Sequence, residues 1–394
     1  MKSLSRSIGF AVATLSFLLA FYLSANSQEI HSFGRQSVVS PELTATKLTF
    51  RLAAPQASSV TIKPSWSPWE EKPFAMTKDD QGVWSISFDR PAPELYTYDF
   101  YVDGVKVLDP SNILVLRDGP RYMNAVLVDG DFASLYKEAG KRGNLNLEWY
   151  DSPTDGMLRR MYVYTPYGYS SSRKKYPVLY LLHGGGGDED AWSTLGRTRQ
   201  ILDNLIEQGK AQPMIVVMPN GNPSQYAAST LQLEEKKIGR TFRSTFDNYQ
   251  SLTSDIVPYI DSHYRTIRKR EGRAVAGLSM GGGQSFFIAF NNLDIFSSVG
   301  IFSSGLLGGI NGSAPLDAEA MIPGIFTDRA KFNKLDVFYV SCGQSDKRLP
   351  GSGKVVEDFR SHGYRVVYET YPGDHEWKVW RRSLTAFVQL LFRK

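Results

Sequence analysis

The sequence predicts a small all-β sandwich followed by a larger α/β domain whose sheet is mostly parallel. Up to about Val128, short stretches alternate apolar and polar residues between turn signals, as strands of a sandwich do. After Leu145, continuous apolar runs alternate with amphipathic stretches of helical spacing. With 394 residues, of which 42% are hydrophobic, the chain can bury two cores. We therefore predict domains at 28–130 and 145–394, joined by a linker at 131–144.

The first 27 residues have the features of a secretory signal. Lys2 and Arg6 precede an apolar stretch over 8–23, and small residues come just before Gln28. The alternative is a membrane anchor, but the apolar stretch is shorter than the roughly 20 residues that span a bilayer. We expect residues 1–27 to be removed and the protein to be secreted or periplasmic in a bacterium, with no membrane association afterwards.

Charge and cysteine content exclude several classes of partner and site. Without Lys2 and Arg6 the formal balance falls from +5 to about +3, so no polyanionic partner is implied. The basic run over 265–273 is interrupted and follows a helical pattern, which favours a solvated helix end over a nucleic-acid patch. Cys342 is the only cysteine, and its apolar surroundings predict a buried strand residue; a cysteine nucleophile is the minor alternative.

The elements of the first domain follow the period-2 pattern. Strands are predicted at Lys47–Leu52, Ser59–Ile62, Val83–Phe88 and Tyr96–Val102. The segment over 130–144 combines three glycines with lysine and arginine, which indicates a polar connection.

The elements of the second domain follow from apolar runs and helical spacing. Strands are predicted at Met161–Tyr164, Val178–Leu182, Met214–Met218, Ala274–Leu278, Ser298–Phe302, Val337–Cys342 and Val366–Tyr371. Helices are predicted at Thr198–Gln208, Tyr249–Tyr264, Met280–Phe290, Lys354–Ser361 and Trp377–Leu391.

A G-x-S-x-G motif over 277–281 follows one of these strands and precedes a helix. This context is typical of the nucleophile turn of the α/β-hydrolase fold. A serine on such a tight turn has a strained backbone, and side chains in place of the flanking glycines would collide with neighbouring elements. We predict that Ser279 is a nucleophile.

A glycine run after His183 ends an earlier apolar strand. Glycine lets backbone amides approach a substrate closely, so we assign the Gly185 amide, with that of Met280, to an oxyanion hole. A flexible loop and a phosphate cradle are the alternatives, but no Lys-Ser or Lys-Thr follows at the spacing that a cradle needs. His183 is expected to support the loop.

A serine hydroxyl needs a base, which is usually histidine. Of five histidines, His375 follows the last predicted strand, at the sheet edge where ligands collect in open α/β folds. Asp346 follows the preceding strand and completes the chain order Ser, acid, His of this fold. Asp374 and Glu376 are rivals, but a residue adjacent to the histidine is poorly placed to hold its ring from behind.

Four stretches together resemble the esterase D-type hydrolases of carbohydrate esterase family one. They are His183-Gly-Gly-Gly, Pro213-Met-Ile-Val-Val-Met-Pro-Asn-Gly221, Ala276-Gly-Leu-Ser-Met-Gly-Gly-Gly283 and His375-Glu-Trp377. The family includes secreted bacterial feruloyl esterases and acetyl xylan esterases, so the resemblance implies an α/β-hydrolase fold with a Ser-His-Asp triad.

The first domain resembles the early-set, immunoglobulin-like modules related to the glycogen-binding type. The resemblance lies in Phe50-Arg-Leu-Ala-Ala-Pro55, Asp80-Gln-Gly-Val-Trp84, Tyr96-Thr-Tyr-Asp-Phe-Tyr-Val-Asp-Gly104 and Asp109-Pro-Ser-Asn112. Trp66, Trp69 and Trp84 could stack on sugar faces, although the alternating pattern predicts a core position for Trp84.

The resemblance implies a feruloyl esterase acting on feruloylated or acetylated xylan oligosaccharides, and the triad chemistry requires no metal or organic cofactor. Tyr226, Phe242 and Trp377 are candidates for an aromatic slot, two of them in a stretch long enough for a lid or binding wall. Alternatives are an acetyl xylan esterase with the same triad, hydrolysis of another ester such as a siderophore lactone, acyl transfer, and a noncatalytic glycan-binding protein. Oligomeric state is not predicted, and no nucleic-acid partner is expected.

Overall fold

A computed structural model describes residues 38–68, 70–223, 225, 249–304 and 317–393. The signal segment predicted at 1–27 lies outside these residues. The predicted order, an all-β sandwich and then an α/β domain, is confirmed. None of the helices in the described ranges has the length and apolar character needed to cross a bilayer.

The first domain is built from ten short strands in the described part of the chain. They are β1 Glu42–Leu43, β2 Lys47–Ala53, β3 Val60–Pro64, β4 Phe74–Ala75, β5 Thr77–Lys78, β6 Val83–Asp89, β7 Glu94–Val102, β8 Val105–Val107, β9 Val115–Asp118 and β10 Arg121–Val128. One sheet has the order β1-β2-β6-β5 and the other β4-β3-β7-β10-β9, with β8 paired to β7. Alternate residues of β2 and β3 point into the core between the sheets, as their period-2 pattern predicts.

Trp84 belongs to the core of this sandwich. Its side chain is buried, and its indole N–H donates a hydrogen bond to the carbonyl of Ala54. Trp66 packs against Phe50 and Tyr96 within the same cluster. The core position predicted for Trp84 is therefore confirmed, and this side chain cannot serve as an exposed sugar platform. Trp69 lies outside the described residues.

The second domain contains a sheet that, over the described residues, has eight strands. They are β11 Asn144–Ser152, β12 Met157–Thr165, β13 Val178–Leu182, β14 Ile215–Pro219, β15 Arg273–Leu278, β16 Ser298–Phe302, β17 Val337–Gly343 and β18 Val366–Tyr371. The order is β11-β12-β14-β13-β15-β16-β17-β18, and every pairing from β14 to β18 is parallel. Strands β11 to β14 pair as β11-β12 and β12-β14, both antiparallel.

Helices cover this sheet. They are α1 Ala191–Thr194, α2 Thr198–Glu207, α3 Val257–His263, α4 Met280–Asn291, α5 Ala318–Met321, α6 Arg329–Phe332, α7 Leu349–Ser361 and α8 Trp377–Leu390. Because both faces are covered, β13, β14, β15 and β16 are buried along their whole length, which is why they are continuous apolar runs in the sequence. The carboxyl ends of β13, β15, β17 and β18 meet at one edge, where ligands bind in open α/β folds.

Two helices differ from the sequence prediction. The helix predicted at Tyr249–Tyr264 is a π-helical segment, Leu252–Ile256, that continues into α3. Pro258 lies in the first turn of α3 and has no amide to give to the α-helical ladder, which explains the wider turn before it. Helix α7 begins at Leu349 rather than Lys354, because Pro350 is compatible with a first turn.

The segment predicted as a linker packs against both domains. Asp131–Tyr136 forms a 3₁₀-helix whose Ala133 and Tyr136 are fully buried, and β11 already starts at Asn144. The same hydrophobic cluster contains Leu95 and Leu116 of the sandwich together with many residues of the α/β domain. The domain boundaries themselves stay a prediction.

A buried ion pair also joins the two domains. The guanidinium of Arg381, on α8, donates hydrogen bonds of 3.0 Å to Oε1 of Glu94 and to the carbonyl of Leu95. The side chains of Arg381 and Glu94 are 2% and 5% exposed. A charge pair this deeply buried requires a fixed arrangement of its neighbours, since either charge alone would lack solvation.

Candidate active site

Ser279 lies on a sharp turn between β15 and α4. Its φ of 51° and ψ of −111° are unusual for a residue with a side chain, and its amide donates a 2.8 Å hydrogen bond to the carbonyl of Phe302. A Cβ at Gly277 would overlap the backbone of Gly281, and one at Gly281 would lie 2.5 Å from the carbonyl oxygen of His183. Both glycines of the motif are therefore required by close backbone approach, as the sequence predicts.

Three residues from separate strand ends form one hydrogen-bonded chain. His375 Nε2 lies 3.0 Å from Ser279 Oγ, and His375 Nδ1 lies 2.8 Å from Asp346 Oδ2. The Asp346 carboxylate can only accept, so Nδ1 carries the ring proton and Nε2 is free to accept a proton from the serine. The structure thus brings together the three side chains that the sequence selected as nucleophile, base and acid.

The Asp346 carboxylate is stabilised in its charged form. Its side chain is fully buried, which alone would raise its pKa. The hydrogen bond from His375, the hydrogen bond from the Arg348 amide and the nearby Arg348 charge outweigh that burial and hold the pKa of Asp346 below its ordinary value. An ionised Asp346 can therefore stabilise an imidazolium at His375.

The rival acids do not reach the imidazole ring with a hydrogen bond. Asp374 Oδ1 accepts from the backbone amide of His375 at 2.7 Å, and Glu376 Oε1 accepts from the amide of Asp374 at 2.9 Å. Both carboxylates hold the loop backbone, which leaves Asp346 as the acid on Nδ1.

His183 supports the glycine loop through hydrogen bonds of its imidazole ring. Its Nε2 accepts a 2.8 Å hydrogen bond from the Gly221 amide, so Nδ1 carries the proton and donates to the Gly184 carbonyl at 2.7 Å. In a planar trans peptide the C=O and N–H point in opposite directions, so fixing the Gly184 carbonyl also fixes the Gly185 N–H. The side chain of His183 is buried, as a supporting residue requires.

The two amides assigned to the oxyanion hole belong to Met280, which follows Ser279, and to Gly185 of the glycine loop. A Cβ at Gly184 would be 3.3 Å from the Cβ of Ser279, so the loop passes close to the nucleophile. Within the ranges that the structure describes, the amides of Gly185 and Met280 have no acceptor, whereas the Gly281 amide bonds to His183. Met280 is the first residue of α4, where helix amides lack partners and the dipole favours negative charge.

Replacing His183 with alanine is expected to lower kcat about 10- to 100-fold with KM changed less than about threefold. The Gly184 carbonyl would lose its donor, and a shift of about 1 Å in a catalytic group can cost that much. The measurement is steady-state hydrolysis of p-nitrophenyl acetate. His263→Ala, at the exposed end of α3, is the matched control; equal kcat in the two variants would contradict the supporting role.

The aromatic residues proposed for substrate binding are only partly described. Tyr226 and Phe242 lie outside the described residues. Trp377 is half-buried and packs edge-on against Trp192 and Trp380, with ring centroids 5.2 Å away in each case. Its role in a substrate slot stays a prediction.

Two residues near the triad were missed by sequence reasoning. The ring of Trp380 packs edge-on against His375 at 4.9 Å, and Arg348 holds the outer oxygen of Asp346. The only signals were their spacings, five residues after His375 and two after Asp346, and such spacings are common in ordinary helices and loops.

Cys342 is a buried strand residue, as predicted. Burial raises the pKa of its thiol to about 12, so it is not a competing nucleophile.

Two families match separate parts of the chain. Residues 154–391 match the family described as "Putative esterase", and residues 36–115 match "Carbohydrate-binding module 48 (Isoamylase N-terminal domain)". An endo-1,4-beta-xylanase/feruloyl esterase of Xylanibacter ruminicola is 30% identical over 355 residues, which cover 87% of this chain. The chain spans 44% of that relative's length.

The chain is also similar to solved structures of esterases. A CE1 ferulic acid esterase from Anaeromyces mucronatus is 27% identical with a TM-score of 0.54, covering 65% of this chain and 93% of its own. The same fungal esterase in complex with ferulic acid is 26% identical, with the same TM-score and coverage. The enterobactin esterase of Shigella flexneri has a TM-score of 0.61, covering 88% of this chain and 94% of its own; at 14% identity it shows the fold alone.

Proposed function

The chain belongs to the esterase family that its residues 154–391 match, and from that membership we propose that it is a secreted serine carboxylesterase that removes feruloyl groups from plant cell-wall xylan. The observation that carries the proposal is the hydrogen-bonded chain from Ser279 through His375 to Asp346. Secretion depends on the segment 1–27 and stays a prediction.

In the proposed mechanism Ser279 Oγ attacks the ester carbonyl while His375 Nε2 takes its proton. The negative charge on the former carbonyl oxygen is stabilised by the amides of Gly185 and Met280. The imidazolium then protonates the leaving sugar oxygen, which releases the alcohol and leaves the acyl group on Ser279.

Water completes the cycle. His375 removes a proton from the water, which attacks the acyl-enzyme, and the second tetrahedral intermediate collapses to free acid and Ser279. Asp346 keeps the imidazole in the required tautomer in both halves. The residues supply nucleophile, base and oxyanion donors themselves, so the mechanism as proposed assigns no step to a metal or cofactor.

The feruloyl assignment is supported by the described activities of the relatives. Both the Xylanibacter ruminicola protein and the Anaeromyces mucronatus enzyme are described as feruloyl or ferulic acid esterases, and the latter was solved with ferulic acid. Since fold kinship alone does not determine substrate, the acyl group must be measured.

We expect kcat/KM for methyl ferulate to exceed that for an acetylated xylo-oligosaccharide by at least about tenfold, because a single methylene group in an apolar pocket is already worth about 1 to 3 kcal/mol and the feruloyl ring is much larger than the acetyl methyl group. Ser279→Ala is the blank for both substrates. A preference for the acetylated substrate would replace the feruloyl assignment by acetyl xylan esterase. Activity on neither, with Ser279 still reactive to a fluorophosphonate, would direct the search to other esters.

A further inference from the structure

The glycine loop after His183 is costly to hold in one conformation. Gly184 to Gly187 have no side chains, Gly186 has a φ of 78°, and the Gly184 carbonyl accepts from the Gly187 amide at 3.2 Å. Glycine loses more conformational freedom on ordering than any other residue. An oxyanion donor must nevertheless be held within tenths of an ångström of its working position.

A turn of the N-terminal sandwich packs directly onto this loop. The turn joins β9 to β10 and contains Gly119, whose φ is 60°. A Cβ there would overlap the carbonyl oxygen of Gly186 and would lie 3.2 Å from the Gly186 carbonyl carbon. A Cβ at Gly187 would lie 2.6 Å from Oδ1 of Asp118. The two backbones therefore meet with no room for a side chain between them.

An ion network fastens the same turn to the residues that follow the loop. Arg117, at the end of β9, pairs with both Asp188 and Asp190. The hydroxyl of Thr194, on α1, donates a 2.7 Å hydrogen bond to the Arg117 carbonyl. These contacts place an arginine of one domain across the base of the other domain's glycine loop.

The acidic side of this network is deeply buried. Asp188 and Glu189 are each 1% exposed, and Arg160 pairs with Glu189 and Asp190 from β12. Burial raises the pKa of Asp188, the neighbouring Glu189 charge raises it further, and Arg117 opposes both. Without Arg117, the Asp188 carboxylate would have to protonate, move or admit water, each of which would disturb Gly187 beside it.

We propose that the N-terminal sandwich is a structural part of the oxyanion hole, with Gly119 and Arg117 as positioning residues that hold the Gly185 amide in place. This inference rests on the proposed function, because it assumes that Gly185 stabilises the oxyanion formed at Ser279. It assigns the first domain a role in the turnover of any ester, including one without a sugar.

The first test compares two glycine substitutions in the same domain. Gly119→Ala inserts a methyl group against Gly186, whereas Gly104→Ala, at a φ of 84°, carries the same kind of backbone strain with nothing within 4 Å. On p-nitrophenyl acetate, Gly119→Ala is expected to lower kcat about 10- to 100-fold with KM within about twofold of wild type. Gly104→Ala is expected to keep kcat within about twofold.

The second test changes the charge at Arg117, to separate a role in positioning the glycine loop from a role in stability. Arg117→Met removes the bridge to the two aspartates, and Arg117→Lys keeps one charge without the two-pronged geometry. Lys106→Met is the matched control, because Lys106 pairs with the partly buried Asp99 of the same sandwich. We expect kcat to fall about 10-fold or more in Arg117→Met, to recover partly in Arg117→Lys, and to stay unchanged in Lys106→Met.

Each variant is measured as the full chain, with its thermal midpoint and with the rate of Ser279 phosphonylation by a fluorophosphonate. Slower phosphonylation and lower kcat in folded Gly119→Ala and Arg117→Met would support the inference. A lower midpoint with wild-type kcat and phosphonylation would overturn it and leave these residues purely structural. Failure of the proposed function itself would give a different result: Ser279→Ala would then hydrolyse p-nitrophenyl acetate at the same rate as wild type.

Discussion

Replacing Ser279 with alanine is expected to lower kcat for ester hydrolysis by about 10⁵- to 10⁶-fold, close to the loss seen when a serine hydrolase loses its nucleophile. The methyl group cannot form an acyl-enzyme, so only the oxyanion hole and substrate binding would remain to accelerate attack by water. The measurement is hydrolysis of p-nitrophenyl acetate and methyl ferulate by protein purified in parallel with wild type.

The control for this substitution is Ser345→Ala. Ser345 is an exposed serine on the loop that carries Asp346, and it is expected to be dispensable. Mass spectrometry of fluorophosphonate-treated wild type should find the adduct on Ser279. An adduct that persists in Ser279→Ala, or a kcat within tenfold of wild type, would refute the serine mechanism.

Replacing Asp346 with asparagine is expected to lower kcat by about 10⁴-fold with little change in KM. An amide facing His375 Nδ1 can donate a hydrogen bond, which favours the tautomer with the proton on Nε2, where it can no longer accept from Ser279. The buried negative charge that stabilises the imidazolium is lost as well.

Asp374→Asn is the matched control, because Asp374 is adjacent to the histidine and bonds only to its backbone amide in the described contacts. We expect its kcat to stay within about tenfold of wild type. If Asp374→Asn proved the more damaging of the two, the acid would have to be reassigned.

The lowered pKa of Asp346 also predicts that the stability difference between wild type and Asp346→Asn depends on pH. The pKa of Asp346 is lowered in the folded protein, so its charged form stabilises the fold above its unfolded pKa of about 3.9. That contribution is lost as the pH falls through the folded value. Denaturant unfolding should therefore show wild type more stable than Asp346→Asn at neutral pH, with the difference narrowing below about pH 4.

The family resemblance seen in the motifs is confirmed for both parts of the chain by the esterase and carbohydrate-binding module 48 matches. The motifs could be recognised in the sequence because the residues that form each of them are close together in the chain. Gly277 and Gly281 are two residues from Ser279; the close contact of Gly277 is with Gly281 in the same turn, whereas Gly281 meets the backbone of His183 at the end of β13. The buried parallel strands were readable because both of their faces are apolar.

Elements at the edges were harder to predict. Strand β11 was not predicted although it pairs with β12 over nine residues, because it is half-exposed at the edge of the sheet and forms no continuous apolar run like the buried strands of this domain. The 3₁₀-helix at Asp131–Tyr136 was not predicted either, because six residues are too few to show a helical period and the glycines and charged residues on either side of it are typical of a linker.

The sequence alone determined the α/β fold and predicted the glycine loop and the chain order of the candidate nucleophile, acid and base, because each depends on residue types at short spacing or on the order of strands. Only the tertiary structure decided that Asp346 rather than Asp374 reaches the His375 ring, and that the sandwich closes over the glycine loop. Arg117 and Asp190 are 73 residues apart and belong to different domains. Such a contact leaves no periodic or local pattern in the sequence, because it forms only where the surfaces of two folded domains pack together.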